Sequence, residues 1–107
     1  MKAYTDIEQS KKLAEFLPFE SADMFYTSLN RDYPWIWIDK HLMEVDDIPC
    51  WSLAALLEII RNNGRYELQM WEGGYVIETG EFITESYFNP IDTCVDLITY
   101  LKEKDWL

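Results

Sequence analysis

A Gly73-Gly74 pair between two strand-like runs most constrains what this chain can fold into. Aromatic, β-branched and long apolar residues are frequent on both sides of the pair, a composition typical of strands. Both central positions of a tight hairpin turn favour positive φ, which glycine adopts without steric cost. The sequence therefore predicts a β-hairpin over residues 66–79, followed by a third strand within residues 81–87.

A two-residue turn at this pair places Trp71 opposite Val76. Both then share the outer, polar face of the hairpin with Glu67 and Glu78. We interpret these four residues as a candidate partner-binding site, in which an aromatic anchor ringed by carboxylates accepts Lys or Arg. A cross-strand pair that only stabilises the turn, or burial under residues 81–88, is the competing interpretation. The inward face is predicted to carry Tyr66, Leu68, Met70 and Ile77.

Two long helices are predicted before the hairpin. Residues 5–17 begin with a capping box, in which Thr5 caps the first turn and Glu8 reaches back to the amide of the cap. Residues 52–63 form the most apolar helix of the chain, with apolar side chains on more than one face. We therefore expect this second helix at the centre of the core.

The last helix has the clearest start. Asn89 is a favoured N-cap residue, Pro90 suits the first helical position, and Asp92 favours the positive end of the helix dipole. An apolar stripe follows at helical spacing and consists of Ile91, Cys94, Val95, Ile98 and Leu101.

The remaining segments complete a prediction of fold class. Residues 21–29 fit a short helix capped by Ser21, with a strand over residues 24–29 as the alternative. Residues 35–38 alternate tryptophan and isoleucine, which predicts a strand. The predicted class is α+β, with three to four helices around a small, mainly antiparallel sheet that contains the hairpin. At 107 residues, 49% of them hydrophobic, the chain is expected to form a single globular domain over residues 1–107.

Charge limits the partners that the chain can accept. It holds 20 acidic and 9 basic residues, a net charge of −11, and residues 66–101 contain no Lys, Arg or His. Phosphate contacts need such cations, so we expect no direct binding of nucleic acid. No apolar run is long enough for a membrane span. We expect a protein partner with basic character, and a homo-oligomer is the alternative.

The sequence predicts no catalytic, cofactor-binding or metal site. The single histidine, His41, lies in an acidic stretch, and neither Cys50 nor Ser52 has a nucleophile motif around it. The two cysteines, Cys50 and Cys94, lack metal-ligand spacing. The first residues lack the apolar core of a signal peptide, so we expect a cytoplasmic protein with reduced thiols and no cofactor.

Three segments carry a resemblance to a known group of proteins. They are Leu17-Pro18 with Ser21-Ala22-Asp23-Met24, then Ile48-Pro49-Cys50-Trp51-Ser52-Leu53-Ala54-Ala55-Leu56-Leu57, and Asn89-Pro90-Ile91-Asp92 with Cys94-Val95. This pattern resembles small uncharacterised proteins of gut Bacteroidetes, often encoded in phage-like or mobile-element contexts. The resemblance covers most of the chain and implies fold and provenance, but it assigns no catalytic or binding residue.

These observations favour a non-enzymatic intracellular accessory protein that acts by binding another protein. Two alternatives remain open at this point. One is an acidic mimic of nucleic acid, with a row of carboxylates along the hairpin and on to Asp92 and Asp96. The other is a small enzyme with a carboxylate-based site.

Overall fold

The computed structural model describes residues 2–29, 31–36, 46–64, 68–71, 74–78, 83–84 and 88–105. Over these residues the chain is α+β, which confirms the predicted class, and three α-helices are present. The helices are α1 (Ile7–Ala14), α2 (Leu53–Asn62) and α3 (Pro90–Glu103). The strands are β1 (Met24–Tyr26), β2 (Trp35–Ile36), β3 (Ile48–Cys50), β4 (Leu68–Trp71) and β5 (Gly74–Ile77).

The first sheet is antiparallel and has the order β2-β1-β3. Met24 of β1 pairs with Ile36 on one side and with Cys50 on the other. The strand alternative for residues 24–29 is therefore confirmed in part, and the helix over residues 21–29 is wrong. No strand was predicted at β3, which contains Pro49; proline is tolerated there because β3 is an edge strand.

The predicted hairpin forms, but the predicted register is wrong. The hairpin is a two-stranded sheet of its own, separate from the first sheet. Val76 pairs with Gln69, and Trp71 pairs with Gly74, so Gly74 belongs to β5 and the pairing differs from the predicted one. A glycine can end a strand as readily as it can form a turn, so the pair leaves two registers open. Of the predicted third strand, the described part is an isolated bridge between Glu78 and Ile83.

The last helix, α3, is the most enclosed element and packs against α2 and β5. Its predicted start is confirmed, because the side chain of Asn89 accepts a hydrogen bond from the amide of Asp92 at 2.9 Å. All five residues of the predicted stripe are buried. In α2, Leu56, Ile59 and Ile60 are buried whereas Ala54 is exposed, so the central place predicted for α2 belongs to α3.

Helix α1 begins one residue later than predicted. Its cap is Asp6, whose side chain accepts from the amide of Gln9 at 2.8 Å while the Gln9 side chain accepts from the amide of Asp6 at 3.2 Å. The capping box therefore consists of Asp6 and Gln9, and the predicted pair of Thr5 and Glu8 is wrong. Thr5 is unavailable for capping because other groups occupy its hydroxyl.

Thr5 is fully buried and forms hydrogen bonds to three parts of the fold. Its amide donates to the carbonyl of Trp51 at 2.9 Å, and its hydroxyl accepts from the amide of Trp51 at 3.1 Å. The same hydroxyl lies 2.7 Å from that of Ser10 in α1. The carbonyl of Thr5 accepts from the hydroxyl of Tyr26 in β1 at 2.8 Å. These bonds tie α1 to both β1 and the residues that lead from β3 into α2.

Asp92 forms a second cross-link, which joins α3 to α1 and the N-terminal segment. Its carboxylate accepts from Lys2 Nζ at 2.9 Å, Gln9 Nε2 at 2.7 Å and Asn89 Nδ2 at 2.9 Å. Burial by itself would raise the pKa of Asp92. The hydrogen bonds from these three residues and the positive charge of Lys2 outweigh burial, and together they lower the pKa.

The hydrogen bonds of Thr5 predict a large stability loss for Thr5→Val. The substitution leaves the buried amide of Trp51 without its side-chain acceptor, which costs about 1–3 kcal/mol in the free energy of unfolding. Thr93→Val is a matched control, because the Thr93 hydroxyl is also buried but donates to the carbonyls of Tyr75 and Asn89. Urea denaturation should show the smaller loss for Thr93→Val. Equal losses would contradict a special role for Thr5.

The lowered pKa of Asp92 predicts a pH-dependent difference between wild type and Asp92→Asn. Folding favours the charged carboxylate, so ionised Asp92 contributes fully to stability above its ordinary pKa of 3.8. This contribution is lost as the pH falls through the lowered pKa of the folded state. At about pH 7 we expect Asp92→Asn to be about 1 kcal/mol less stable in urea, and the difference should shrink below about pH 4. Asp105→Asn makes the same charge change just beyond α3 and should lack this profile. A difference independent of pH would contradict the role assigned to Asp92.

Candidate partner-binding surface

The structure does not assemble the four residues of the predicted hairpin site on one described surface. Val76 is 2% exposed, so its predicted outward position is wrong. The reason is that β5 packs against α3, and Thr84 exchanges hydrogen bonds with the main chain of Ile77, so β5 is enclosed. Glu78 is exposed. Glu67 and the side chain of Trp71 lie outside the described residues, and a role for them stays a prediction.

Exposed apolar side chains concentrate instead around β2. Eight large hydrophobic residues of the described chain are exposed, and four of them lie within residues 29–36. We call these four the β2 surface: Leu29 (96% exposed), Tyr33 (67%), Trp35 (58%) and Ile36 (74%). The other four lie in four separate segments, and they are Phe19, Met70, Ile83 and Phe88. Met70 was predicted to face inward, and that prediction is wrong.

Both faces of β2 are exposed. Trp35 and Ile36 are neighbours in a strand, so their side chains point to opposite faces of the sheet. On the face of Trp35, its partner Phe25 packs against the core; on the face of Ile36, Met24 lies between it and the buried Cys50. The core therefore covers β1 and β3 and stops short of β2. Core packing therefore does not explain why β2 carries large apolar side chains.

The segment that leads into β2 is anchored by Arg31. Its guanidinium donates to the carbonyl of Tyr26 at 3.2 Å and to the carbonyl of Asp46 at 2.9 Å. Arg31 thereby links the end of β1 to the residues before β3 and fixes the backbone just ahead of Tyr33. Arg31 and Asp32 also line a pocket of about 470 Å³, so the β2 surface adjoins a concave one. The pocket is completed by Lys2, Ala3, Tyr4, Asp6, Ile7 and Tyr26.

Acidic residues surround this anchor. Asp32 directly precedes Tyr33 of the β2 surface, and Arg31 holds the main-chain carbonyl of Asp46, with Asp47 next to it. Among the described residues here, the carboxylates of Asp6, Asp32, Asp46 and Asp47 outnumber the cations of Lys2 and Arg31, and the whole chain has the same negative sign, with a net charge of −11. A cationic partner is therefore attracted both by the region and by the molecule.

The thiols of Cys50 and Cys94 are buried, and the hydroxyl of Ser52 caps a helix. Burial raises the pKa of Cys50, although hydrogen bonds from Thr5, Ser10 and Tyr26 oppose the shift, and burial raises the pKa of Cys94 to about 12. Neither thiol therefore ionises readily at neutral pH. The Ser52 hydroxyl caps α2, accepting from the amide of Ala55 at 3.3 Å, and donates to the carboxylate of Asp23. His41 lies outside the described residues.

Two of the sequence hypotheses depend on clusters of carboxylates. In the row expected of a nucleic-acid mimic, Asp92 is paired with Lys2 and is half-buried, so it contributes little free charge. Within the described ranges, no group of three or more His, Cys, Asp or Glu residues is arranged to hold a metal ion.

The β2 surface was not predicted as a site, although the strand itself was. Residues 35–36 were expected to form a strand and do so, whereas residues 37–38 lie outside the described part of the chain. A signal was present, because Tyr33, Trp35 and Ile36 place three large apolar residues within four positions beside a loop. Sequence alone gives no measure of whether a neighbouring element covers such residues.

Comparisons with known proteins identify no relative. The chain matches no protein-family model, no curated protein and no solved structure. The resemblance to small proteins of gut Bacteroidetes therefore stays a prediction. Among the residues that the structure describes, no helix is both long enough and apolar enough to cross a membrane.

Proposed function

We propose that this protein binds another protein through the β2 surface, and that the partner is rich in Lys and Arg. The observation that supports the proposal most is the exposure of Trp35 and Ile36 on opposite faces of one strand. Clustered apolar side chains that the fold leaves in water are typical of interaction sites. Tryptophan and tyrosine are also the residue types enriched among the side chains that dominate binding energy.

The apolar side chains of the β2 surface supply part of the free energy that specific binding needs. Burying one large apolar side chain contributes about 1.5–3 kcal/mol, and the β2 surface offers four. Association itself costs about 4–15 kcal/mol in lost translational and rotational freedom, so apolar contacts alone leave a modest surplus at best. Electrostatic complementarity is then needed to raise the association rate and select the partner.

The charge of the chain favours a basic partner over a second copy. Two molecules that each carry −11 repel one another, and the carboxylates of Asp32, Asp46 and Asp47 add to this repulsion near the β2 surface. A protein rich in Lys and Arg is attracted by the same charges. Salt separates the two cases, because screening weakens attraction to a basic partner and weakens repulsion between copies.

The proposal predicts that Trp35→Ala combined with Ile36→Ala abolishes partner capture. The matched control is Phe88→Ala combined with Met70→Ala, which also removes two exposed apolar side chains, at 88% and 77% exposure, away from β2. Immobilised wild type and control should capture the same proteins from a cell extract, and the β2 variant should capture them at least about tenfold less well. The captured proteins should be basic, and capture should fall as salt rises.

Stability provides the control for folding. All four substituted residues are exposed, so both double variants should keep the wild-type free energy of unfolding within about 1 kcal/mol. Equal capture by the two double variants would contradict the proposal. Sedimentation that shows wild-type copies associating through Trp35 at high salt would instead support a homo-oligomer.

A further inference from the structure

An apolar groove lies where the three helices end, away from the β2 surface. Its volume is about 350 Å³, within the size range of sites that bind small molecules. Leu17 and Ile59, both nearly buried, and the half-buried Phe16 supply its apolar lining. Four lining residues are polar: Ser21, which follows α1, Asn62 and Asn63 at the end of α2, and Lys102 near the end of α3.

The charge of the groove is opposite to that of the chain. None of its eight lining residues is acidic, although 20 of the 107 residues of the chain are. Lys102 is the one charged residue among them, and its Nζ lies 5.9 Å from the centre of the Phe16 ring. Among the described residues, Lys2 forms ion pairs and Lys102 does not. The charge of Lys102 is therefore not neutralised by a described carboxylate.

Helix C-termini carry partial negative charge, which would oppose an anion in this groove. Two features of the ends of α2 and α3 offset this negative charge. Asn63 caps it by donating from its amide to the carbonyl of Ile60 at 3.1 Å and from Nδ2 to the carbonyl of Ile59 at 2.7 Å. Arg61 and Lys102 lie in the last turns of α2 and α3, where their charges offset the helix dipoles.

We propose that this groove binds a small organic carboxylate with an aromatic or branched apolar body. The apolar body packs against Phe16, Leu17 and Ile59, and the carboxylate pairs with the ammonium group of Lys102. A ligand with an apolar body and one negative charge complements a groove with an apolar lining and one positive charge. This site is independent of the β2 surface, and its failure would leave the proposed function unchanged.

The test uses phenylacetate and its uncharged analogue phenylacetamide as probes, each titrated into the full chain and followed by amide NMR shifts. Wild type should bind phenylacetate roughly tenfold more tightly than phenylacetamide, because a charge-assisted hydrogen bond replaces a neutral one. The shifts should centre on Leu17, Asn62 and Asn63. Lys102→Gln should remove the preference for the carboxylate and leave phenylacetamide binding unchanged.

Lys104→Gln is the matched control. It makes the same charge change at the same end of α3, and Lys104 also lies over an aromatic ring, 5.8 Å from the centre of Tyr100. This variant should keep the wild-type preference for phenylacetate. Asn62→Trp replaces an exposed residue at the mouth of the groove and should abolish binding of both probes. No binding of phenylacetate to wild type, or equal preference in Lys102→Gln and wild type, would overturn the proposal.

Discussion

The buried hydrogen bonds of Thr5 are the constraint on which the rest of the structure depends. Thr5 lies two residues ahead of the start of α1, and it uses its amide, hydroxyl and carbonyl to contact Trp51, Ser10 and Tyr26. A buried polar group that lost these partners would cost more than the hydrogen bonds contribute. The geometry of this one residue therefore fixes how α1, the first sheet and α2 meet.

This constraint also determines which part of the first sheet is exposed. Tyr26 ties β1 to Thr5, and Trp51, fully buried, ties the residues after β3 to the same point. Trp51 is itself part of the hydrophobic core cluster, and Phe25, the neighbour of Tyr26 in β1, packs against that cluster. β2 pairs with β1 on the far side from β3, so the core that covers β1 and β3 does not reach it. Stability and the proposed binding therefore depend on opposite edges of one small sheet.

Local signals predicted the elements whose stability is local. The start of α3 at Asn89-Pro90 and its apolar stripe could be predicted from the sequence, because the cap and the stripe lie within one continuous segment. The buried hydrogen bonds of Thr5 could not be predicted, because its partner Trp51 is distant in sequence. A threonine before an apolar run also resembles a helix N-cap. The hairpin register depended on which glycine joined β5, which no local rule decides.

The candidate site was less predictable than the fold for a physical reason. Sequence patterns indicate which residues are apolar, but exposure depends on whether another element covers them. Val76 was expected outside and is buried beside α3, whereas Met70 was expected inside and is exposed. The same limit applies to Trp35 and Ile36, whose strand was predicted and whose exposure on both faces was not.

Site-specific photo-crosslinking tests the proposed role of the β2 surface most directly. A benzoylphenylalanine at position 33 replaces an exposed aromatic residue of the β2 surface, and the same group at position 88 replaces an exposed phenylalanine elsewhere. Illumination in cells should link a protein rich in Lys and Arg to position 33 and leave position 88 without that product. Equal products from both positions, or crosslinks only between copies of this chain, would contradict binding of a basic partner at the β2 surface.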